Sequence, residues 1–270
     1  MVFEPLGEPL WILKARFQGN VIPPDTLRLV SKMIIEGLDY LHSQCPVIHT
    51  DLKPDNVLMA LREHSRLHLV AQDEIQEPLP QKGLQDRTIY LSRNYFGLQG
   101  QEIGRPVITD FGLAVRGDQR SFYHHSIQPD EYRAPEVILD AGWSYSVDIW
   151  NLGVLIWDLL EGSGPFDMAK SGMETHSVER HLARIIALIG PPPMDLLQDG
   201  KESSRYFDNK GRFKFPDLIP ECRGMEDSLT SLEGQDKRMF LDFVSRMVQW
   251  RPADRSKPEE LLLDPWLRQP

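Results

Sequence analysis

The sequence predicts an α+β fold that is mainly α-helical, and three observations carry this. Apolar residues recur at three- and four-residue steps behind Pro23-Pro24. The stretch from Ser144 to Leu160 is apolar on nearly every side. The strand-like runs are few and short, and the clearest of them border polar clusters. Helical periods therefore dominate over period-two alternation.

Taken in order, Pro23-Pro24-Asp25-Thr26 reads as a helix start, with the prolines outside and Asp25 or Thr26 as cap. Leu27, Val30, Ile34, Leu38 and Leu41 then form one apolar face up to about Ser43, and Pro46 stops the helix. Val47-Ile48-His49 and Val57-Leu58-Met59 read as small strands flanking a polar loop. Residues 61–105 mix charges, prolines and glycines with one strand-like run, Thr88-Ile89-Tyr90-Leu91, and read as a partly ordered insertion. Val107-Ile108-Thr109 is a third short strand and feeds Asp110-Phe111-Gly112. Ser144 to Leu160 has the all-round hydrophobicity of a helix buried in the middle of a domain. Further helices are expected at about 176–189, 235–249 and 256–263. Trp143, Trp157, Trp250 and Trp266 are read as core and anchor residues, and Glu226-Asp227 as a solvated face. Tyr123, His124 and His125 lack the spaced partners of a metal site and read as exposed loop residues.

The 270 residues carry 30 basic against 40 acidic side chains, a net charge of −10, which argues against direct nucleic-acid or anionic-membrane binding. Cys45 and Cys222 are the only cysteines, so no disulfide framework is expected and a reducing compartment, cytoplasmic or nuclear, is the default. No segment approaches the roughly eighteen apolar residues of a spanning helix. Met1-Val2-Phe3-Glu4-Pro5 has neither the basic nor the apolar region of a leader.

Two polar clusters stand out between apolar strands: His49-Thr50-Asp51-Leu52-Lys53-Pro54-Asp55-Asn56, and Asp110-Phe111-Gly112. Phosphoryl transfer to an alcohol needs a carboxylate to orient the hydroxyl, a cation at the γ-phosphate, oxygen ligands for magnesium and a positioned ATP. Asp51, Lys53, Asn56 and Asp110 can supply the first three. One amide oxygen and one carboxylate suit a hard cation that keeps few protein ligands.

In order and spacing, these clusters together with Ala134-Pro135-Glu136 resemble the catalytic loop, magnesium motif and activation-segment end of eukaryotic protein kinases. The resemblance implies that Asp51 accepts the substrate hydroxyl proton and Lys53, in the Ser/Thr-kinase position, contacts the γ-phosphate. Asn56 and Asp110 would hold Mg²⁺. Phe3 resembles the gatekeeper, Glu4 and Leu6 the hinge whose backbone bonds adenine, and Leu58 the residue beneath the adenine ring. His49 and Phe111 resemble two members of the regulatory spine, and Asp148 the residue that bonds the catalytic-loop backbone. Glu136 and Arg255 would form a buried ion pair.

Arg133 before Ala-Pro-Glu is similar to the CMGC group of kinases. Thr50 in place of the usual Arg, residues 1–7, Ile127-Gln128 and Arg205-Tyr206-Phe207-Asp208-Asn209-Lys210-Gly211 resemble its SR-protein kinases. That likeness implies a protein substrate rich in Arg and Ser, and a monomer. It also divides the chain into a hinge remnant at 1–7 and a kinase carboxy-terminal lobe at 8–267, with the insertion at about 61–105 and most of the amino-terminal lobe missing. A lobe without a Gly-rich loop, the phosphate-binding strand Lys or its Glu partner is expected to transfer phosphate negligibly by itself.

Two departures have physical consequences. Thr50 cannot grip a phosphorylated residue as an Arg fork does, so activity should not require activation-loop phosphorylation. Pro129 stands where the resemblance puts a Thr hydroxyl bonded to the catalytic Asp and Lys, and Pro has neither hydroxyl nor N–H. The positioning of Asp51 and Lys53 is the point this departure puts in question, and substitution by a water or a neighbouring group is the alternative. The alternatives are a non-catalytic, pseudokinase-like binding module, which Pro129 favours, and an aminoglycoside-type small-molecule phosphotransferase, which Ala134-Pro135-Glu136 with Arg255 disfavours.

Overall fold

In the computed structural model, which describes residues 4–62, 65–91, 93, 103–166, 177–221 and 224–269, a three-stranded antiparallel sheet and two two-stranded pairs accompany a mainly helical body. The chain begins with β1 (Leu6–Pro9) and α1 (Leu10–Ala15), followed by the long α2 (Pro24–Ser43). Next come β2 (Val47–Ile48), β3 (Val57–Leu61), α3 (Ser65–Gln76), β4 (Gln81–Gly83), β5 (Thr88–Tyr90), β6 (Ile103–Ile108) and β7 (Val115–Arg116). The remainder is helical: α4 (Pro135–Ile138), α5 (Ser146–Glu161), α6 (Val178–Ile189), α7 (Met194–Asp199), α8 (Ser203–Tyr206), α9 (Met225–Ser228), α10 (Gly234–Ser245) and α11 (Pro258–Leu261).

The expectation of a carboxy-terminal helical lobe, with a bare remnant ahead of it, is corrected at the amino-terminal end. Leu6–Pro9 is a strand in a three-stranded sheet of order β1-β3-β6, with Leu6 opposite Ala60 and Pro9 opposite Leu58. Leu-Gly-Glu-Pro shows no apolar alternation, and its partner lies some fifty positions away. Such a pairing is a tertiary event that no local pattern announces. Gly104 has a similar tertiary reason: a Cβ there would sit 2.6 Å from the Ala60 carbonyl oxygen, so only glycine lets β6 approach β3.

Helix α2 starts at Pro24 with Pro23 as N-cap, and neither Asp25 nor Thr26 caps it. Proline suits the first helical position, since its missing N–H would be unsatisfied there anyway. Asp25 instead pairs with Arg28 at 2.6 Å. The expected helix at 235–249 ends at Ser245, and the one at 256–263 shortens to α11.

Helix α5 is the centre of the core, as its all-round apolarity requires. Trp150 on it is fully buried and stacks on Phe166 at 5.3 Å. Trp266 stacks on Phe243 at 4.9 Å, with the Arg28 guanidinium 5.7 Å above its ring. The four tryptophans Trp143, Trp157, Trp250 and Trp266 are all buried, consistent with anchoring. Tyr123 departs from expectation: it is buried, stacked on Trp143 at 4.9 Å, because the segment around it bridges back to Trp143. No helix among the described residues is long and apolar enough to cross a membrane.

Gly162 (φ 79°) ends α5, and the Glu161 carboxylate beside it fastens the segment that leads into α10. Thr230 N, Ser231 N and the Thr230 hydroxyl donate to it at 2.9, 2.7 and 2.8 Å. Partial burial pushes the Glu161 pKa up, but these hydrogen bonds outweigh it and hold the pKa below the ordinary 4.5. The folded pKa is depressed, so the stabilisation is present above the unfolded value and lost as pH falls through the folded one. Glu161→Gln is therefore expected to lower the denaturation midpoint at neutral pH, and the gap from wild type to close as pH drops below 4.5. Urea melts at a series of pH values would measure it; a gap independent of pH would count against the assignment.

Candidate active site

Backbone geometry at the mouth of the β3–β6 hairpin brings the two polar clusters together. Val57 lies opposite Ile108, so Asn56 and Thr109 leave the ladder side by side. Thr109 N and Oγ1 both donate to the Asn56 carbonyl, at 2.8 and 3.0 Å. Asp110 follows in a left-handed conformation (φ 61°, ψ 67°), exposed, with Oδ1 accepting from Gly112 N at 3.4 Å. A side chain at positive φ costs about 1–3 kcal/mol, and such strain persists where the surroundings impose it.

The loop before β3 is held from beneath by Asp148, a fully buried carboxylate in the first turn of α5. Its two oxygens accept from His49 N and Thr50 N, both at 2.8 Å, and Oδ2 also meets His42 Nε2 at 2.9 Å. This grip lets Thr50 sit at φ 70° with its hydroxyl donating to the Leu113 carbonyl at 3.0 Å. The residue after it, Asp51, is nearly buried. Lys53 Nζ reaches both Asp51 oxygens, at 3.0 and 2.9 Å. Asn56 Nδ2 donates to the Asp51 carbonyl at 2.9 Å and to its Oδ2 at 2.8 Å. Asp51, Lys53 and Asn56 thus form one bonded group, and Asp110 stands on the strand end that Asn56 holds.

With Nδ2 spent twice on Asp51, the remaining polar atom of the Asn56 side chain is the acceptor Oδ1. That oxygen and the exposed Asp110 carboxylate are hard donors of the kind magnesium takes, and the residues fit such an ion. Among the described residues there is no cluster of three or more His, Cys, Asp or Glu that could hold a metal by itself. Leu6 and Leu58 are half-buried on the neighbouring strands β1 and β3, and Glu4 is exposed just ahead of them. Phe3 lies outside the described residues.

His49 and Phe111 touch edge to face at 5.1 Å, and His49 Nε2 meets the Thr109 carbonyl at 2.8 Å. Glu136 and Arg255 form a two-pronged ion pair (2.6 and 2.7 Å) with both side chains fully buried. Residues to which sequence reasoning gave no place in the site complete the frame: His42 beneath Asp148, Asn151 on the Leu52 carbonyl, and Gln128, noted in the sequence only for its family likeness, on Asn151. Asn151 did leave a signal, a polar residue one turn after Asp148 in an otherwise apolar run.

The protein kinase domain family model matches residues 1–71 and 98–267 of this chain. A serine/threonine protein kinase of Aspergillus fumigatus is 41% identical over 268 residues, covering 99% of this chain and 64% of that protein. A serine/threonine-protein kinase SRPK of Physarum polycephalum is 28% identical over 290 residues, 99% of this chain and 66% of its own length. A crystal structure of the PF14_0431 kinase domain superposes with a TM-score of 0.70 at 26% identity, covering 98% of this chain and 72% of that one. The chain thus spans about two thirds of the length of these two curated relatives. The matches overturn the reading of a carboxy-terminal lobe with most of the amino-terminal lobe missing, because kinase-domain likeness runs along essentially the whole chain. The expectation of negligible activity rested partly on that reading, and phosphate transfer by the chain itself is what tests it.

Proposed function

The chain belongs to the protein kinase domain family, and on that premise we propose that it transfers the γ-phosphoryl group of ATP to Ser or Thr side chains of a protein. The observation that carries this is the bonded group Asp51–Lys53–Asn56 next to Asp110 at one hairpin mouth. Asp51 orients the incoming hydroxyl and takes its proton as the oxygen bonds to phosphorus and ADP departs. Lys53 offers its ammonium to the transferred phosphate. Asn56 and Asp110 would hold Mg²⁺, which when bound neutralises charge on the triphosphate. The backbone at Glu4 and Leu6, with Phe3 and Leu58, would meet the adenine. Arg/Ser-rich protein substrates are the finer reading, supported by likeness to the Physarum SRPK and by a net charge of −10 that suits a basic peptide. Residues 72–97, which the family model skips, are read as part of the insertion hung between β3 and β6. The full chain acts as a monomer in this reading.

The test is transfer of labelled phosphate from Mg-ATP to an Arg-Ser repeat peptide, against an aminoglycoside as the competing acceptor. Labelling of the peptide alone is the expected result. Labelling of the aminoglycoside, or of nothing, rejects the assignment. A related expectation follows from Thr50, whose hydroxyl ties the loop to Leu113 without any phosphate. Phosphatase-treated protein should keep its turnover within about twofold, since Thr50 has no guanidinium fork with which to make a charge-assisted phosphate pair. Loss of activity on treatment, restored by rephosphorylation, would refute it.

A further inference from the structure

Two buried amides link the catalytic loop to the activation segment, and none of the chemistry above uses them. Asn151 is fully buried on α5, one turn beyond Asp148. Its Nδ2 donates to the Leu52 carbonyl at 3.2 Å, and its Oδ1 accepts from Gln128 Nε2. Gln128, also buried, donates from Nε2 to the Val147 carbonyl at 3.1 Å and accepts on Oε1 from Ala134 N at 2.8 Å. The bonds therefore run from the peptide between Asp51 and Lys53 to the residue that opens Ala134-Pro135-Glu136.

The backbone at Gln128 supports the same purpose. It lies at φ 66°, strained for a residue with a side chain, with its own carbonyl taken by Arg133 Nη2 at 3.0 Å. The next residue, Pro129, has no N–H and no hydroxyl to offer the loop. At this crossing the link to the catalytic loop runs through the Gln128 side chain. An amide at residue 151 can donate to Leu52 and accept from Gln128 at once, which neither an aliphatic side chain nor a shorter hydroxyl could span.

We propose that Asn151 and Gln128 are positioning residues for phosphoryl transfer, setting the Leu52 peptide and hence the relative placement of Asp51 and Lys53. By the kinase likeness a Thr hydroxyl at residue 129 would bond Asp51 and Lys53, and Pro129 leaves that work to the relay. This inference depends on the kinase reading above.

The test uses the full chain and four forms: wild type, Asn151→Ser, Pro129→Thr and the double variant. Misplacement of reacting groups by about an ångström can cost about a hundredfold. Asn151→Ser should accordingly lower kcat by about ten- to a hundredfold, with KM for ATP and peptide within about twofold. Adding Pro129→Thr to it should restore most of the lost turnover, which a purely structural role of Asn151 would not predict. If Asn151→Ser fails to fold, Asn151→Asp replaces it, keeping the acceptor for Gln128 while removing the donor to Leu52. Amide exchange supplies a readout independent of activity: the Ala134 amide and the 49–53 loop should exchange at least about tenfold faster in Asn151→Ser, as local opening becomes easier. An active wild type whose Asn151→Ser keeps kcat and exchange unchanged overturns the relay alone, as does a double variant no faster than the single. A wild-type chain that neither binds Mg-ATP nor transfers phosphate overturns the kinase reading, and the catalytic role of the relay with it.

Discussion

Asp51→Asn is expected to cut peptide phosphorylation by at least about a thousandfold, roughly 4 kcal/mol of transition-state stabilisation. The side chain is nearly buried, accepts Lys53 on both oxygens and Asn56 on one, and is the carboxylate of the group. An Asn there preserves volume but cannot take the hydroxyl proton, and it leaves the Lys53 ammonium facing an amide. The fold should tolerate the change, because the loop backbone is held by Asp148 and not by residue 51. Single-turnover kinetics with a Ser peptide would measure the loss, and the melting temperature would report on folding. A fall of less than about tenfold in a folded variant would remove Asp51 from the chemistry, since general-base catalysis contributes more than that.

The largest effect on stability is expected from Arg255→Ala. The guanidinium makes both bonds to Glu136, two to the Gln249 carbonyl and one to the Ser146 carbonyl, and lies 5.0 Å over the Trp150 ring. Its removal leaves the Glu136 carboxylate fully buried without its cation. Losing one partner of such a pair costs roughly 3–5 kcal/mol, because an uncompensated charge stays out of water. For a domain of this size that corresponds to a melting temperature about 10 °C lower. Replacing both partners, Glu136→Leu with Arg255→Met, should recover part of the loss, since well-packed apolar pairs can match a buried ion pair. Calorimetry of the three variants decides the matter. A single variant within about 1 kcal/mol of wild type would mean that water reaches the site or that other groups take up the charge.

How much of this was legible beforehand depended on how local each cause is. The meeting of the octapeptide 49–56 with Asp110-Phe111-Gly112 could be anticipated because charged residues wedged between short apolar runs are expensive unless they do something. Helix α2 could be read from its apolar period, and only its start was misplaced, by mistaking a proline-led first turn for a capped one. The Tyr123 ring was misread because its burial depends on a bridge to Trp143, twenty positions on. The 61–105 stretch resisted reading for another reason. α3 and the β4–β5 hairpin carry many exposed apolar and charged residues in no clean period, and they are stapled by Glu74 to Arg93 at 2.7 Å, a contact invisible in one dimension.

By itself, then, the sequence determined the helical character of the chain and the residue types and order of the two polar clusters proposed for phosphate chemistry, since these follow from local period and from chemical necessity. Only the tertiary structure decided that β1 joins the sheet, that Asn56 and Thr109 share one hairpin mouth, and that Gln128 and Asn151 reach across beneath Leu52. Each of those depends on backbone groups finding partners at long separation, where the cost of burying an unpaired amide or carbonyl selects the arrangement and no neighbour in sequence can reveal it.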